Sequence, residues 1–448
     1  MKSFSGLSAR RRAWLVSILA CGFVARIVWM FAFPYYLPVA EQADPMEYNV
    51  LAKNLLAGEG FRFKGIQGHF GEMMGDKVNQ PTLRRPPLYP VVLAGVYALF
   101  GERYRAAFLL NCIFDLVTMI AVFAIARQLF ADARIALLAL FITATHLPFF
   151  QQNIVLMSDS LGMMLTTLVL LALIIGLSEP RPHWFVVAGI ALGFTSLCRP
   201  ESFYFSVPLA LVLVLLLRAK GSSWRRAALL PVAMLVFFWV VLSPWVIRNA
   251  IVFGRFVPGT ATAGSVMLEG LYPPTQDETK GLVPQFPPEL WEKVKDLSEI
   301  EANDILTREA IKLLVNHPMS WLSDAPLKLA HFWLVFWGGS DPRFLYYPAN
   351  EMVPGQLSVL IPNLIFLIFA CVAVFRYRGK WLLQAAPILF TLLFFSFEAT
   401  FHITRVRHSM KMVPLLIVLA SYGMYMVFSR QKAGGDASQR PLPAETQP

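Results

Sequence analysis

Apolar runs set the terms for this chain. Ten of them recur, at about 13–33, 106–126, 134–152, 160–177, 184–199, 203–217, 227–246, 356–375, 381–397 and 411–429. About 20 such residues span a bilayer as a helix, so the sequence predicts an all-α polytopic membrane protein with about 10 transmembrane helices. Composition agrees. Of 448 residues, 56% are hydrophobic and only 15% charged, with a mean hydropathy of +0.56. These values exclude disorder and do not suit a soluble enzyme. The net charge of +11 does not point to nucleic acid, because the basic residues sit in short clusters beside the apolar runs, as orientation signals do.

Those clusters are Arg10–Arg12, Arg127/Arg134, Arg218/Lys220/Arg225/Arg226, Arg376/Arg378/Lys380 and Arg430/Lys432. All fall on one side of the expected spans, which the positive-inside bias makes the cytoplasm, and both termini are expected there. The first run is longer than a signal-peptide core and is read as an uncleaved first helix. Residues 1–12 are then a cytoplasmic tail, 13–429 the transmembrane domain, and the polar, Pro-rich 430–448 a disordered cytoplasmic tail. Cys21, Cys112, Cys198 and Cys371 lie in or at the ends of apolar spans without metal-ligand spacing. They read as packing residues, and no metal site is expected.

Two segments do not span, and both are placed on the periplasmic side. In the loop 34–105, "EYNVLAKNLLAGEGF" carries Tyr48, Leu51, Ala52, Leu55 and Leu56 on one helical face and is closed by Gly58. That is an amphipathic helix suited to the membrane surface. "LRRPPLYPVVLAGVYALFG" predicts a second interfacial helix, started by Pro86 and Pro87. The loop 248–355 reads as a small helical cap. No internal repeat is evident, which weakens a transporter built from inverted halves.

Charged residues from distant stretches gather at the outer ends of the spans: Asp44, Glu47, Arg84, Arg85, Asp159, Arg199, Arg248, Arg405 and Arg407. Arginine forks match phosphate oxygens in a way lysine does not. A phosphate is already a good leaving group, so a single carboxylate acting as general base is sufficient. Bland readings stand beside this one. Asp44 is also placed to cap the helix expected from Met46, Glu47 to complement that helix's dipole, and Asp159 to cap the fourth span. The arginine pair is equally suited to anchoring on anionic head groups. Arg26 and Asp115, buried in the first two spans, are expected to pair with each other. His402 and His408 merit mutation only because they flank Arg405.

The pieces "DPMEYNVLAKNLLAGEGF", "LRRPPLYPVVLAGVYALFG", "LMSDSL", "GFTSLCRP" and "SPWVIRNAIVFGRFVPGTATAG" resemble the bacterial relatives of the protein O-mannosyltransferases, glycosyltransferases of the GT-C fold that are similar also to the lipid A aminoarabinose transferases. The resemblance covers roughly residues 13–270, with a family-like ending in "RVRHSMKMVPLLIVLASYG". It implies a multi-pass enzyme of the bacterial inner membrane. Such an enzyme moves a sugar from a polyprenyl-phosphate donor to a hydroxyl of a glycan, lipid or protein acceptor, without a cofactor. It further implies that Asp44 is the catalytic base, that Arg84 and Arg85 contact the donor phosphate, and that Asp159 is a second outer-loop acid. Glu47, Tyr48, Arg199, Arg248, Arg405 and Arg407 join them as substrate-binding candidates. Relatives often show two adjacent acids where this chain has Asp44-Pro45, so a metal there is not expected. The competing class is a transporter or flippase of a lipid-linked or anionic solute, which would want its charges at mid-membrane.

Overall fold

The computed structural model describes residues 6–33, 43–66, 74–272, 287–334, 352–377, 379–402 and 406–437. In chain order its helices are α1 (Ala9–Ala32), α2 (Ala43–Leu56), α3 (Leu88–Phe100), α4 (Tyr104–Phe130), α5 (Ala133–Thr145), α6 (Leu147–Asn153), α7 (Asp159–Ser178), α8 (Pro182–Cys198) and α9 (Glu201–Ala219). They continue as α10 (Trp224–Phe253), α11 (Ala263–Leu271), α12 (Pro288–Val294), α13 (Glu299–Asn316), α14 (Pro318–Trp333), α15 (Met352–Arg376), α16 (Trp381–Glu398) and α17 (Val413–Ala437). Among the described residues there is no strand, only one isolated bridge between Arg62 and Pro81.

Each expected span coincides with helix, but the count of straight spans is lower than ten. Seven helices are long and apolar enough to cross a membrane, or eight if α5 and α6 form one broken span. The chain bends by 52° between those two, where Pro148 enters the first turn of α6. The expected spans at 184–199 and 411–429 are shorter apolar helices. Helix α10 runs on through Phe253, past the expected end near 246, and α17 continues to Ala437, into the stretch expected to be tail. Residues 438–448 lie outside the described part.

Lipid contact explains the surface. On α10, Val232, Val236 and Val240 follow one another every four residues and are 50%, 51% and 58% exposed, a stripe that suits a lipid-facing helix. Between helices, small residues permit close approach. An added Cβ on Gly189 of α8 would stand 2.2 Å from the carbonyl oxygen of Met234 in α10, and one on Gly423 of α17 would stand 2.1 Å from that of Phe369 in α15.

The expected pair forms deep in the bundle. Arg26 Nε lies 2.8 Å from Asp115 Oδ2, and both side chains are buried. The guanidinium also donates to the carbonyls of Gly22, Ala144 and Thr143 at 3.0, 3.0 and 3.2 Å. Two of these end α5, just before the bend, where helix-terminal carbonyls lack intrahelical donors. Asn153 Nδ2 reaches the same Asp115 oxygen at 3.0 Å. Phe150 lies under the Arg26 guanidinium, 4.4 Å from ring centre to Cζ.

Outside the bundle, α11 to α13 enclose a small core of Leu268, Leu290, Val294, Leu306 and Ala310. Ser298 starts α13 with a reciprocal capping box to Glu301. Helix α14 rests on the turn after α16, where Trp321 Nε1 and Lys328 Nζ both donate to the Thr400 carbonyl at 3.1 and 2.9 Å. The segment expected to be a helical cap carries α11 to α14 among its described residues, joined by non-helical stretches such as 254–262 and 295–298.

Candidate functional site

The site begins with α2. Its buried face carries Tyr48, Leu51 and Ala52, as the periodicity predicts, and this face packs on α3 and the segment before it. Packing sets the helix so that Asp44 and Glu47, one turn apart, look toward the arginine pair. Pro87 takes the position just before α3, so Arg84 and Arg85 occupy a constrained strap rather than a helix.

Glu47 is more than a first-turn acid. Its Oε2 accepts from Arg85 Nε at 2.7 Å and from Arg84 Nε at 3.1 Å, and its side chain is only 5% exposed. Asp44 accepts from Arg85 Nη2 on one oxygen and from Arg407 Nη2, at 2.8 Å, on the other. The cap reading for Asp44 gives way: it lies inside the first turn of α2, gripped by two guanidinium groups from distant parts of the chain. It is 23% exposed, so the carboxylate stands at the accessible edge of the cluster. Burial works against the charge of Arg85, but the Asp44 and Glu47 carboxylates outweigh it and hold its pKa well above the ordinary value.

Tyr48 lies between this cluster and a second one. The Arg85 guanidinium sits 5.5 Å from its ring centre, and Tyr89 meets the ring edge-on at 5.3 Å. The Tyr48 hydroxyl stands 3.4 Å from Ser158 Oγ. Burial pushes its pKa up, with Arg85 and Arg199 pulling the other way. Beyond it, Arg199 pairs with Asp159 at 2.5 Å, and Lys411 pairs with Glu201 while lying 4.1 Å above the ring of Phe395. The stem of Arg199 passes against Gly162, where a Cβ would come within 3.1 Å of Arg199 Cγ. Arg199 Nε is buried with no hydrogen-bond partner among the described residues.

Arg199 and Lys411 pair with Asp159 and Glu201, while Arg84, Arg85 and Arg407 meet Asp44 and Glu47; the Glu299 carboxylate lies close enough to feel Arg84 as well. Two guanidinium groups converging on one carboxylate also make a geometry that an anion with several oxygens can take over.

Of the residues expected from sequence, Asp44, Glu47, Tyr48, Arg84, Arg85, Arg407, Asp159 and Arg199 are brought together. Arg248 is not. Because α10 continues past it, its side chain turns away to the rings of Trp245, Phe253 and Phe61, at 4.9, 5.1 and 5.8 Å, and Nη1 reaches the Thr82 carbonyl at 3.4 Å. Arg405 lies outside the described residues. His402 Nε2 is 3.0 Å from Glu398, and its ring centre is 5.7 Å from that of His408. Sequence reasoning missed Glu201, Lys411 and Glu299. Glu201 is next but one to Arg199, and Lys411 interrupts the start of an apolar run; both were available signals. Glu299 looks in sequence like any acid in a first helical turn.

Residues 84–247 match the family model described as dolichyl-phosphate-mannose-protein mannosyltransferase. No curated protein matches the chain by sequence. Among solved structures, the oligosaccharyltransferase AglB of Archaeoglobus fulgidus, in complex with an inhibitory peptide and a dolichol-phosphate, aligns at 13% identity over 98% of this chain and 53% of its own, with a TM-score of 0.53. An oligosaccharyltransferase of the same organism tethered to an acceptor peptide gives 12% identity over 96% and 52%, with a TM-score of 0.51. ArnT of Cupriavidus metallidurans bound to undecaprenyl phosphate gives 15% identity over 96% and 81%, with a TM-score of 0.43. The chain spans about half the length of the oligosaccharyltransferases it matches, and the likeness is one of fold. It is a multi-pass helical membrane protein with a fold like that of the oligosaccharyltransferases, similar over residues 84–247 to the dolichyl-phosphate-mannose-protein mannosyltransferases.

Proposed function

We propose that the protein is a membrane glycosyltransferase that moves a sugar from a polyprenyl-phosphate donor to an acceptor hydroxyl on the periplasmic side of a bacterial inner membrane. The observation that carries this reading is the carboxylate of Asp44, held by Arg85 and Arg407 at the accessible edge of a cluster of guanidinium groups drawn from distant parts of the chain. The family match and the lipid-phosphate and glycan chemistry named for the structural neighbours support it.

In the resting site both oxygens of Asp44 are taken up by guanidinium groups. A donor phosphate competes for the same two groups. As Arg85 and Arg407 turn to the phosphate oxygens, the carboxylate is released to the acceptor. Asp44 then takes the proton of the acceptor hydroxyl, and the hydroxyl oxygen attacks the anomeric carbon from the side opposite the phosphate. The bond from that carbon to the phosphate oxygen breaks, the electron pair leaves on the phosphate, and the arginines stabilise the charge that develops there. Attack from the opposite face inverts the anomeric configuration. Asp159 serves by holding Arg199 in place, on the far side of Tyr48.

The test is sugar transfer by purified protein with a synthetic polyprenyl-phosphate sugar, comparing wild type with Arg85→Lys. Arg85 serves Asp44 and Glu47 through different nitrogens, which a single ammonium cannot reproduce. We expect kcat/KM for the donor to fall about tenfold, equivalent to about 1.4 kcal/mol. An anchor to anionic head groups would tolerate lysine, so unchanged kinetics would remove Arg85 from the donor site. Sidedness has its own check. An impermeant thiol reagent applied to intact cells should label Ser323→Cys, in α14, and leave Ser222→Cys, between α9 and α10, unlabelled. The reverse pattern would put the site in the cytoplasm.

A further inference from the structure

The strap that carries the arginine pair is gripped by the cap. Glu299, first residue of α13, accepts from Thr82 Oγ1 with one carboxylate oxygen and from the Leu83 amide with the other, each at 2.6 Å. Lys77, earlier in the same strap, donates to the carbonyls of Lys295 and Leu297, the latter at 2.9 Å. The turn between α12 and α13 is thus clasped at both ends by one segment. Other bonds complete the hold: the Thr82 amide donates to the Phe61 carbonyl at 3.0 Å, the Ala261 amide to the Leu83 carbonyl at 3.0 Å, and the Arg84 amide to Thr82 Oγ1 at 3.0 Å. Leu83 is fully buried.

Such a hold exceeds what a surface loop needs for stability. Keeping a carboxylate largely buried is costly, and burial does push the Glu299 carboxyl above its ordinary range, with the Thr82 and Leu83 bonds opposing. The result of that cost is a fixed backbone immediately before Arg84 and Arg85. Rigid support is what a binding fork requires, since loss of placement by about 1 Å is enough to lose its hydrogen bonds.

We propose that Glu299, with Lys77, is a positioning residue of the donor site: the cap-to-strap clasp sets the aim of Arg84 and Arg85 although neither residue reaches the phosphate. This rests on the proposed donor site. It also makes the cap a mechanical part of that site, so any ligand that shifts the start of α13 alters donor affinity.

The test uses the full-length protein in detergent, with undecaprenyl phosphate as probe and two readouts, lipid affinity and amide hydrogen exchange over 82–85. Glu299→Gln keeps size and one acceptor but cannot accept from the Leu83 amide with its NH2 group. It should speed exchange over 82–85 at least tenfold and raise the Kd for the lipid about tenfold. The control is Glu309→Gln, which breaks the exposed pair with Lys312 farther along the same helix and should leave both readouts unchanged. Thr82→Ser, which keeps the hydroxyl, should behave as wild type. Faster exchange with unchanged Kd overturns the proposal, and so does an equal loss of affinity in Glu309→Gln. If wild-type protein binds no undecaprenyl phosphate, the donor-site reading fails on that result alone, and with it the positioning role, while the exchange data still report whether the clasp holds the strap.

Discussion

Asp115→Ala should destabilise the protein by about 3–5 kcal/mol, the cost of leaving a buried partner charge uncompensated. Arg26 would be the stranded partner, and it lies among helices with 1% of its surface exposed. Removing both charges, as Arg26→Met with Asp115→Leu, should recover most of that loss, because apolar side chains of similar volume often replace a buried pair without penalty. Recovery should not be complete. The guanidinium also satisfies the carbonyls of Thr143 and Ala144 at the bend between α5 and α6, and methionine leaves them without a donor. About 1–3 kcal/mol of the loss should therefore persist in the double variant. Thermal unfolding in detergent of the wild type and the two variants makes the comparison. A double variant no better than Asp115→Ala would show that the carbonyl contacts at the bend, and not the ion pair, carry the stability.

That pair was readable from sequence because a charge inside an apolar run has few ways to be satisfied, and only two such residues stood at matching depth. The spans were readable for a similar reason: lipid imposes a length and a composition. The break between α5 and α6 was not, since the few polar residues of 134–152 do not interrupt its apolar character enough to split it, and Pro148 sits where it starts a helix as readily as it ends one. Within the site, reasoning from shared membrane face brought Asp44, Arg85 and Arg407 together across the whole chain. It failed for Arg248, whose position at the expected end of a span looked like that of Arg199. The extra turns of α10 carry it into an aromatic nest instead. Glu201, Lys411 and Glu299 escaped because each has an ordinary local explanation, and the partner that makes it unusual lies more than 200 positions away.

Asp44→Asn should leave the protein folded and inserted while lowering kcat by about a hundredfold or more, the scale for loss of a general base. Asparagine keeps the shape of the side chain and one acceptor, but it cannot take the acceptor's proton. The donor side of the kinetics separates this from a structural role. Asp44 competes with the donor phosphate for Arg85 and Arg407, so removing its charge weakens its hold on both guanidinium groups. Donor KM should stay level or fall, and undecaprenyl phosphate should bind as tightly as to wild type or more tightly. If Asp44 only anchors the arginines, the opposite split appears: their aim loosens, donor affinity drops, and kcat at saturating donor survives. A base role also predicts that the defect narrows with acceptors whose hydroxyl is more acidic, because less proton transfer is then required of the enzyme. Near wild-type kcat in the purified variant would assign the proton to another group, and Asp159, locked to Arg199 at 2.5 Å and only 7% exposed, would be a poor successor, since it lies away from the accessible edge.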